Sequence, residues 1–457
     1  MRVFNRHISV RGLTVFGFET MLVSGSVALA AHLQGSLNDV AGTLWKVVVI
    51  TALCELCFYY NDLYDLTCVH AKGELLVRVL QGMGAAAIAL AAVSMLLPSL
   101  RLGSATFLTT LGVLVVAMPL WRFAFDGLTS DPHLEERVLI VGTGPNALMV
   151  GRHIREQHDF AYRLVGFVEE PGSGVAGATG FVPVLGSLSD LPRIVAEHGI
   201  QRIVVGLSDR RGQLPITELL EAKLTGVRVE DAVTTYERMA GKILVDELKP
   251  SWLIFSDGFE ASRATRLVKR SVDILGSAVG IVVTAPLMCL TALAVRVESP
   301  GPVLYRQERV GQHGALFTLY KFRSMRLDAE QGTPVWAKDH DPRVTRVGRF
   351  IRLTRLDELP QFWNVLRGEM SFVGPRPERQ FFVEQLERAI PFYAARHAVK
   401  PGLTGWAQVR YRYGASLEDA LEKLRYDLYY IKHLSLVFDL TIMIDTVKVM
   451  VCRKGAQ

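Results

Sequence analysis

Charged side chains are scarce in the first quarter of the chain, which argues against an ordinary water-soluble domain there. Many charges lie instead between Arg296 and Arg388, so a membrane part joined to a water-facing part is expected. No cleavable signal peptide is expected, because the first apolar stretch lacks a small-residue cleavage site and further apolar stretches follow it. No nucleic-acid-binding module and no long basic run occur. The formal net charge of +6 therefore points to phosphorylated substrates or lipid headgroups, and not to nucleic acid. The five cysteines, Cys54, Cys57, Cys68, Cys289 and Cys452, are scattered. Cys54 and Cys57 form a C-x-x-C inside an apolar run ending in Phe58-Tyr59-Tyr60, which favours small helix residues over a redox or metal pair.

What is present begins with four apolar stretches, about Leu13 to Leu33, Val40 to Tyr60, Val77 to Leu97 and Gly103 to Trp121. Each is close to the roughly 20 residues a helix needs to cross a bilayer. Arg2, Arg6 and Arg11 precede the first, the loop from Gln34 to Asp39 has no Lys or Arg, and Lys72 and Arg78 follow the second. The positive-inside rule then puts the N-terminus in the cytoplasm and returns the chain there after four crossings, with Arg101 a minor exception.

From Glu136 the pattern becomes strand-like runs alternating with helical ones. Arg137 to Val141, Leu164 to Val168, Arg202 to Gly206 and Val227 to Glu230 read as strands of a doubly wound α/β domain ending near Asp257. The first strand runs into Gly142-Thr143-Gly144-Pro145-Asn146-Ala147, a G-x-G-x-x-A turn that can bring amides against a pyrophosphate, with Gly142 and Gly144 as the cofactor-binding candidates. The acidic partner for a ribose belongs about 20 positions on. Glu169 lies 27 positions after Gly142, so a Rossmann-like domain used for folding, regulation or assembly is an equal reading. An NAD-dependent nucleotide-sugar dehydratase or epimerase on a membrane anchor needs a Tyr with Lys four residues later, and no tyrosine here has one.

A fifth apolar run carries no charge from Ile274 to Val295 and is long enough to span. Lys269 and Arg270 precede it, while Arg296, Arg306 and Arg309 follow, so both ends carry the cytoplasmic mark. Pro286 removes a backbone donor in mid-run and favours a kink. A re-entrant helix over about 272–296 satisfies both facts, with Arg263, Arg266, Lys269 and Arg270 gripping headgroups.

The densest chemical signal runs from Arg343 to Glu378. Asp357-Glu358-Leu359-Pro360 reads as a helix start with Asp357 as N-cap, and Gly368 as the stop. An ionised Asp there can attack phosphorus, with Arg352, Arg376 and a magnesium ion offsetting diphosphate charge. The D-x-D at Asp339 and Asp341 is a second candidate, for a metal-dependent glycosyltransferase, although Asp341-Pro342 also fits a turn.

From about Arg266 to the C-terminus the chain resembles the bacterial sugar transferases, the monotopic phosphoglycosyl transferases that prime polysaccharide assembly. The matching pieces are Lys269-Arg270-Ser271-Val272-Asp273, Ser299-Pro300-Gly301-Pro302-Val303, Arg309-Val310-Gly311, Lys321-Phe322-Arg323-Ser324-Met325, Leu356-Asp357-Glu358-Leu359-Pro360-Gln361, Val373-Gly374-Pro375-Arg376-Pro377 and Lys400-Pro401-Gly402-Leu403-Thr404-Gly405. The resemblance implies Asp357 as nucleophile and Mg2+ (or Mn2+) contact, Glu358 as its partner, and Arg352, Arg376, Lys321 and Arg323 on substrate phosphates. The family's Ser-Pro break in the re-entrant helix is here Ala285-Pro286. The N-terminal half resembles the extension of the long members. Within those, Arg2-Val3-Phe4-Asn5, Tyr59-Tyr60-Asn61-Asp62-Leu63-Tyr64-Asp65 and Trp252-Leu253-Ile254-Phe255-Ser256-Asp257-Gly258-Phe259 resemble the exosortase-associated exopolysaccharide branch.

The expected architecture is thus a mixed membrane protein: a four-helix transmembrane region over 1–127, a Rossmann-like domain over 128–257 and an α-rich catalytic domain over 258–457. The expected reaction moves a hexose 1-phosphate from a UDP-sugar to undecaprenyl phosphate through an aspartyl phosphosugar, at the bacterial inner membrane with both water-facing domains in the cytoplasm. Expected partners are those two substrates and downstream glycosyltransferases, with monomer and homodimer both open. A non-catalytic assembly scaffold is the alternative from another class. The catalytic share is expected to lie wholly after about Ala261.

Overall fold

A computed structural model describes residues 2–3, 6–7, 10–34, 40–61, 63–64, 72–100, 102–129, 135–156, 162–170, 182–207, 214–245, 258–326, 343–411, 414 and 416–451. The described chain forms two compact units that divide between Met239 and Ala240. The D-x-D aspartates, Cys68, Cys452 and the segment from Trp252 to Asp257 lie outside the described residues.

The first unit opens with four long helices, α1 (Val10–Leu33), α2 (Val40–Tyr60), α3 (Lys72–Leu96) and α4 (Ser104–Thr129). Apolar runs take this form because a helix satisfies its backbone polar groups internally, which lipid requires. Thr14–Leu33, Leu75–Met95, Ser104–Phe125 and, in the second unit, Arg263–Glu298 are long and apolar enough to cross a membrane. Val23, Val27, Phe58, Val79 and Met118 are buried between the helices, and Cys54 and Cys57 are free and buried among them. Met21, Ile88 and Leu108 face outward, as lipid contact favours. A polar layer crosses the bundle: Arg122 donates from Nη2 to Glu19 at 3.1 Å, while Glu55 accepts from Thr20 Oγ1 at 3.0 Å and from the Tyr64 hydroxyl. Partners of this kind offset the cost of burying charge between the helices.

After the bundle comes a wholly parallel sheet: β1 (Glu136–Val141), β2 (Tyr162–Glu169), β3 (Val184–Ser187), β4 (Arg202–Val205) and β5 (Arg228–Asp231). Helices α5 (Pro145–Glu156), α6 (Leu191–His198), α7 (Ile216–Leu224) and α8 (Ala232–Ala240) alternate with the strands. The strand order β3-β2-β1-β4-β5 is the doubly wound arrangement expected. Gly142 has φ +108°, and a Cβ there would lie 2.9 Å from the Gly206 carbonyl oxygen. A Cβ on Gly206 would in turn lie 2.8 Å from Ala147. Close approach of the turn after β1 to the end of β4 is therefore enough to account for Gly142, while Gly144 directly precedes α5. Glu169 does stand at the C-terminal end of β2. Beneath the sheet edge Glu230 bonds Arg238 at 2.9 Å and pairs with the buried Arg202.

In the second unit, α9 (Arg263–Glu298) begins where Ser262 Oγ accepts from Thr265 N at 3.0 Å. The helix continues on both sides of Pro286, the residue expected to favour a kink. Lys269 and Arg270 differ from expectation. Lys269 bonds Asp439 at 2.6 Å and the Val373 carbonyl at 3.0 Å, and Arg270 donates to the Val365 and Leu366 carbonyls, each at 2.7 Å. Buried carboxylate and helix-end carbonyls within the unit hold these cations more firmly than hydrated headgroups would. Asp273 accepts from Phe372 N at 3.0 Å, and Gly276 lies against the Phe372 ring. At the other end Val295 packs with Phe322 and Ile351, and Glu298 accepts from Arg346 N at 2.8 Å. Both ends of α9 are thus fastened to one globular unit, while Val282, Val283 and Leu290 between them are exposed.

The rest of this unit comprises a hairpin, β6 (Leu304–Val310) and β7 (Leu316–Phe322), then α10 (Arg346–Leu353) and α11 (Gln361–Arg367). Next come β8 (Ser371–Val373), α12 (Gln380–Ala389), β9 (Gly402–Thr404), α13 (Trp406–Arg410), α14 (Leu417–Lys432) and α15 (Leu436–Val451). Its core gathers Trp406, Leu424, Leu428, Tyr430, Phe438 and Ile442, together with Ile243 and Val245 from before α9.

Candidate active site

Three pieces of chain converge on Asp357 and Glu358. Lys321 comes from the end of β7, and Arg352 from the last turn of α10. Helix α10 reaches its place because Gly348 has no side chain: a Cβ there would fall 2.0 Å from the Ser324 carbonyl oxygen. Thr345 caps the helix, accepting from Gly348 N at 2.9 Å, and Arg352 Nε donates to Ser324 Oγ at 2.8 Å. The chain then reverses at Arg355, whose φ of +59° is uncommon outside glycine. The single 3-10 turn Leu356–Glu358 follows.

That geometry corrects one expectation. Asp357 sits inside the 3-10 turn, and Pro360 occupies the residue before α11. Proline's missing donor and fixed φ suit a first turn, so α11 starts after it and Asp357 caps no helix. Nor does a helix dipole set its charge. Burial and the adjacent Glu358 charge push Asp357 above the usual carboxylate range, and Lys321, Arg355 and Arg352 oppose them. Glu358 is held well below that range: burial works against its charge, but Lys321 and Arg376 outweigh it, with help from Arg355. Lys321 Nζ and Arg376 Nη2 both meet Glu358 Oε1 at 2.9 Å, and Arg355 Nη1 lies 4.0 Å away.

Asp357 is 7 % exposed, and its Oδ1 atom has no hydrogen-bond partner. An ionised buried oxygen left without a donor is costly unless a ligand completes it. A divalent cation fits that oxygen. Among the described residues no three His, Cys, Asp or Glu side chains form a metal cage. Magnesium, however, is commonly held by one or two carboxylates plus substrate phosphates.

Of the expected phosphate-binding residues, Lys321 and Arg376 meet Glu358, and Arg352 contributes its charge at Asp357. Arg323 turns elsewhere: its Nη atoms donate to the Ser299 carbonyl at 2.7 Å and the Pro300 carbonyl at 3.0 Å, which holds the exit from α9. Arg355 was missed by sequence reasoning, although its place two residues before Asp357 was a usable signal. Arg376 lies in the irregular strap Gly374–Glu378, between β8 and α12. The four carbonyls from Pro375 to Glu378 accept from Gly402 N, Arg396 Nη2, Arg309 Nη1 and Val310 N at 2.9, 3.1, 3.0 and 3.0 Å.

Comparison with known proteins follows this division. Residues 264–453 match the bacterial sugar transferase family, and residues 60–222 match a CoA-binding domain family. The UDP-glucose:undecaprenyl-phosphate glucose-1-phosphate transferase of Escherichia coli (strain K12) is 32% identical over 345 residues, covering 74% of this chain and 73% of that protein. The UDP-N-acetylgalactosamine-undecaprenyl-phosphate N-acetylgalactosaminephosphotransferase of Aeromonas hydrophila is 45% identical over 221 residues, 48% of this chain and 52% of the relative, so the match spans about half of that relative's length. The undecaprenyl-phosphate galactose phosphotransferase of Salmonella typhimurium is 40% identical over 211 residues, 43% of each chain. The E. coli match runs beyond the catalytic unit through nearly three quarters of both chains, and on that breadth this chain belongs to the bacterial sugar transferase family.

Proposed function

We propose that this enzyme transfers a hexose 1-phosphate from a UDP-sugar to undecaprenyl phosphate, with Asp357 as nucleophile. The observation that carries the reading is the partnerless Asp357 Oδ1 beside a Glu358 already held by Lys321 and Arg376. Asp357 attacks the sugar-bearing phosphorus, the bond from that phosphorus to the bridging oxygen breaks, and UMP leaves with the electron pair. A lipid phosphate oxygen then attacks the same phosphorus, which forms the lipid diphosphate sugar and returns the carboxylate. No net proton is needed at Asp357 in either step. Lys321, Arg352, Arg355 and Arg376 surround the two carboxylates and oppose the charge that a diphosphate brings. Magnesium held by Asp357 would neutralise diphosphate charge and favour the leaving group.

Placement of the site is part of the same proposal. Helix α9 dips into the cytoplasmic leaflet of a bacterial inner membrane and returns, with both water-facing domains on the cytoplasmic side. Fastening of both α9 ends to one unit supports that reading. The relatives' names cover glucose, galactose and N-acetylgalactosamine, so the hexose is chosen by the assay. Priming of exopolysaccharide for downstream glycosyltransferases, in the exosortase-linked branch, is the role this product would serve.

The test is the intact-protein mass after rapid mixing with donor in the absence of lipid acceptor. A sugar-phosphate adduct mapped to Asp357, with ping-pong kinetics, is the expected result. Sequential kinetics with no adduct would sink the scheme and leave Asp357 as a metal ligand for direct attack by the lipid.

A further inference from the structure

We infer that Arg396, held by Asp427 and Tyr393, is a positioning residue that sets the catalytic reach of Arg376. This rests on the active-site role proposed for Arg376. Pro375 and Pro377 have no N–H to give, so the strap between them is anchored mainly through its carbonyl oxygens. Backbone amides hold its two ends, at Pro375 and Glu378, while the carbonyls of Arg376 and Pro377 are held by the guanidinium groups of Arg396 and Arg309.

The Arg396 grip is the more deeply buried of the two. Arg396, Asp427 and Tyr393 are 5, 2 and 2 % exposed. From one Nη2 atom Arg396 reaches both the Arg376 carbonyl at 3.1 Å and Asp427 Oδ2 at 2.8 Å, and its Nη1 donates to the Tyr393 hydroxyl at 2.6 Å. A planar guanidinium fixed by a carboxylate on α14 and a phenol cannot swing away from its third partner. The line of force runs from α14 through Arg396 to the Arg376 backbone, and from the Arg376 side chain to Glu358 at 2.9 Å. A buried ion pair that served folding alone could be replaced by apolar side chains of similar volume with little loss. This one spends a donor on the backbone of the residue that meets Glu358, and so its loss is felt in turnover.

The experiment is a double-mutant cycle on the full-length enzyme in detergent. It compares Asp427→Asn, Arg376→Lys and the double variant, scoring nucleoside monophosphate release as kcat/KM together with Tm. Asp427→Asn keeps the side-chain volume but loosens Arg396. The expected drop in kcat/KM is roughly 10- to 100-fold in the wild-type background, by analogy with loss of groups that orient a metal ligand. In the Arg376→Lys background the same change should cost less than about 2-fold, since its route to the chemistry is already cut. The Tm loss should be equal in both backgrounds. Equal activity losses in both backgrounds, or a folded Asp427→Asn enzyme with unchanged kcat/KM, overturns the inference. If Asp427→Asn melts below the assay temperature, Tyr393→Phe, which removes one hydroxyl, takes its place in the same cycle. Should Arg376→Lys itself leave turnover unchanged, it is the active-site reading of Arg376 that fails.

Discussion

A buried carboxylate beside a largely buried one is tolerated only where cations face them, and Lys321, Arg352, Arg355 and Arg376 supply those here. Asp357→Asn keeps shape but removes the negative charge, so turnover should fall by roughly 1000-fold or more. The check is nucleoside monophosphate release alongside retained Tm, and near-normal release would remove Asp357 from the chemistry. Glu230 offers a separate test in the first unit. Burial opposes its charge, yet Arg238 and Arg202 bring it from 4.5 down to about 2. A depressed carboxylate stabilises the fold above its unfolded value and loses that contribution as pH falls through its folded one. The Tm advantage of wild type over Glu230→Gln, worth roughly 3 kcal/mol at most near neutrality, should shrink between about pH 5 and pH 2. A constant gap would show that the Glu230 charge adds nothing. The Asp357-Glu358 pair was legible in the sequence because its motif is contiguous. Arg396 and Asp427 were not, since residues 31 positions apart leave no local pattern. Arg323 was legible as a conspicuous cation but not as an anchor for Ser299 and Pro300.

At the scale of elements, continuous apolar runs and strand-helix alternation carried most of the fold. Helix α2 spans Val40–Tyr60, the bounds of its apolar run. The strand Val184–Ser187 went unforeseen because four residues in mixed company make too short a pattern. Pro286 was expected to favour a kink in α9; one lost backbone bond does not end the helix, whose two ends are pinned by Lys269, Asp273 and Glu298. Topology remains testable. Single cysteines placed at Glu260 and Glu308, in a chain otherwise free of cysteine, should both react with an impermeant maleimide from the cytoplasmic side of sealed vesicles. Reaction of one from each side would mean that α9 crosses.

The whole molecule divides earlier than its sequence suggests. Ile243 and Val245 are buried in the core of the second unit, Ile243 N donates to the Arg425 carbonyl at 3.0 Å, and Trp406 Nε1 donates to the Gly241 carbonyl at 2.8 Å. A chain beginning at Ala240 should therefore fold and turn over, whereas one beginning at Ala261 forfeits two buried side chains, about 3–6 kcal/mol in all. Thermal melts of the two in detergent decide it, and equal Tm values would mean that residues 240–260 are dispensable. The motifs all fall after Ala261 and were legible as contiguous strings, but the packing that supports them reaches further back. With both ends of α9 tied to one body, the enzyme under the proposed reaction can draw its polyprenyl substrate from only one leaflet. Its sugar-loaded product would then stay in that same leaflet, with the sugar on the face from which it was loaded.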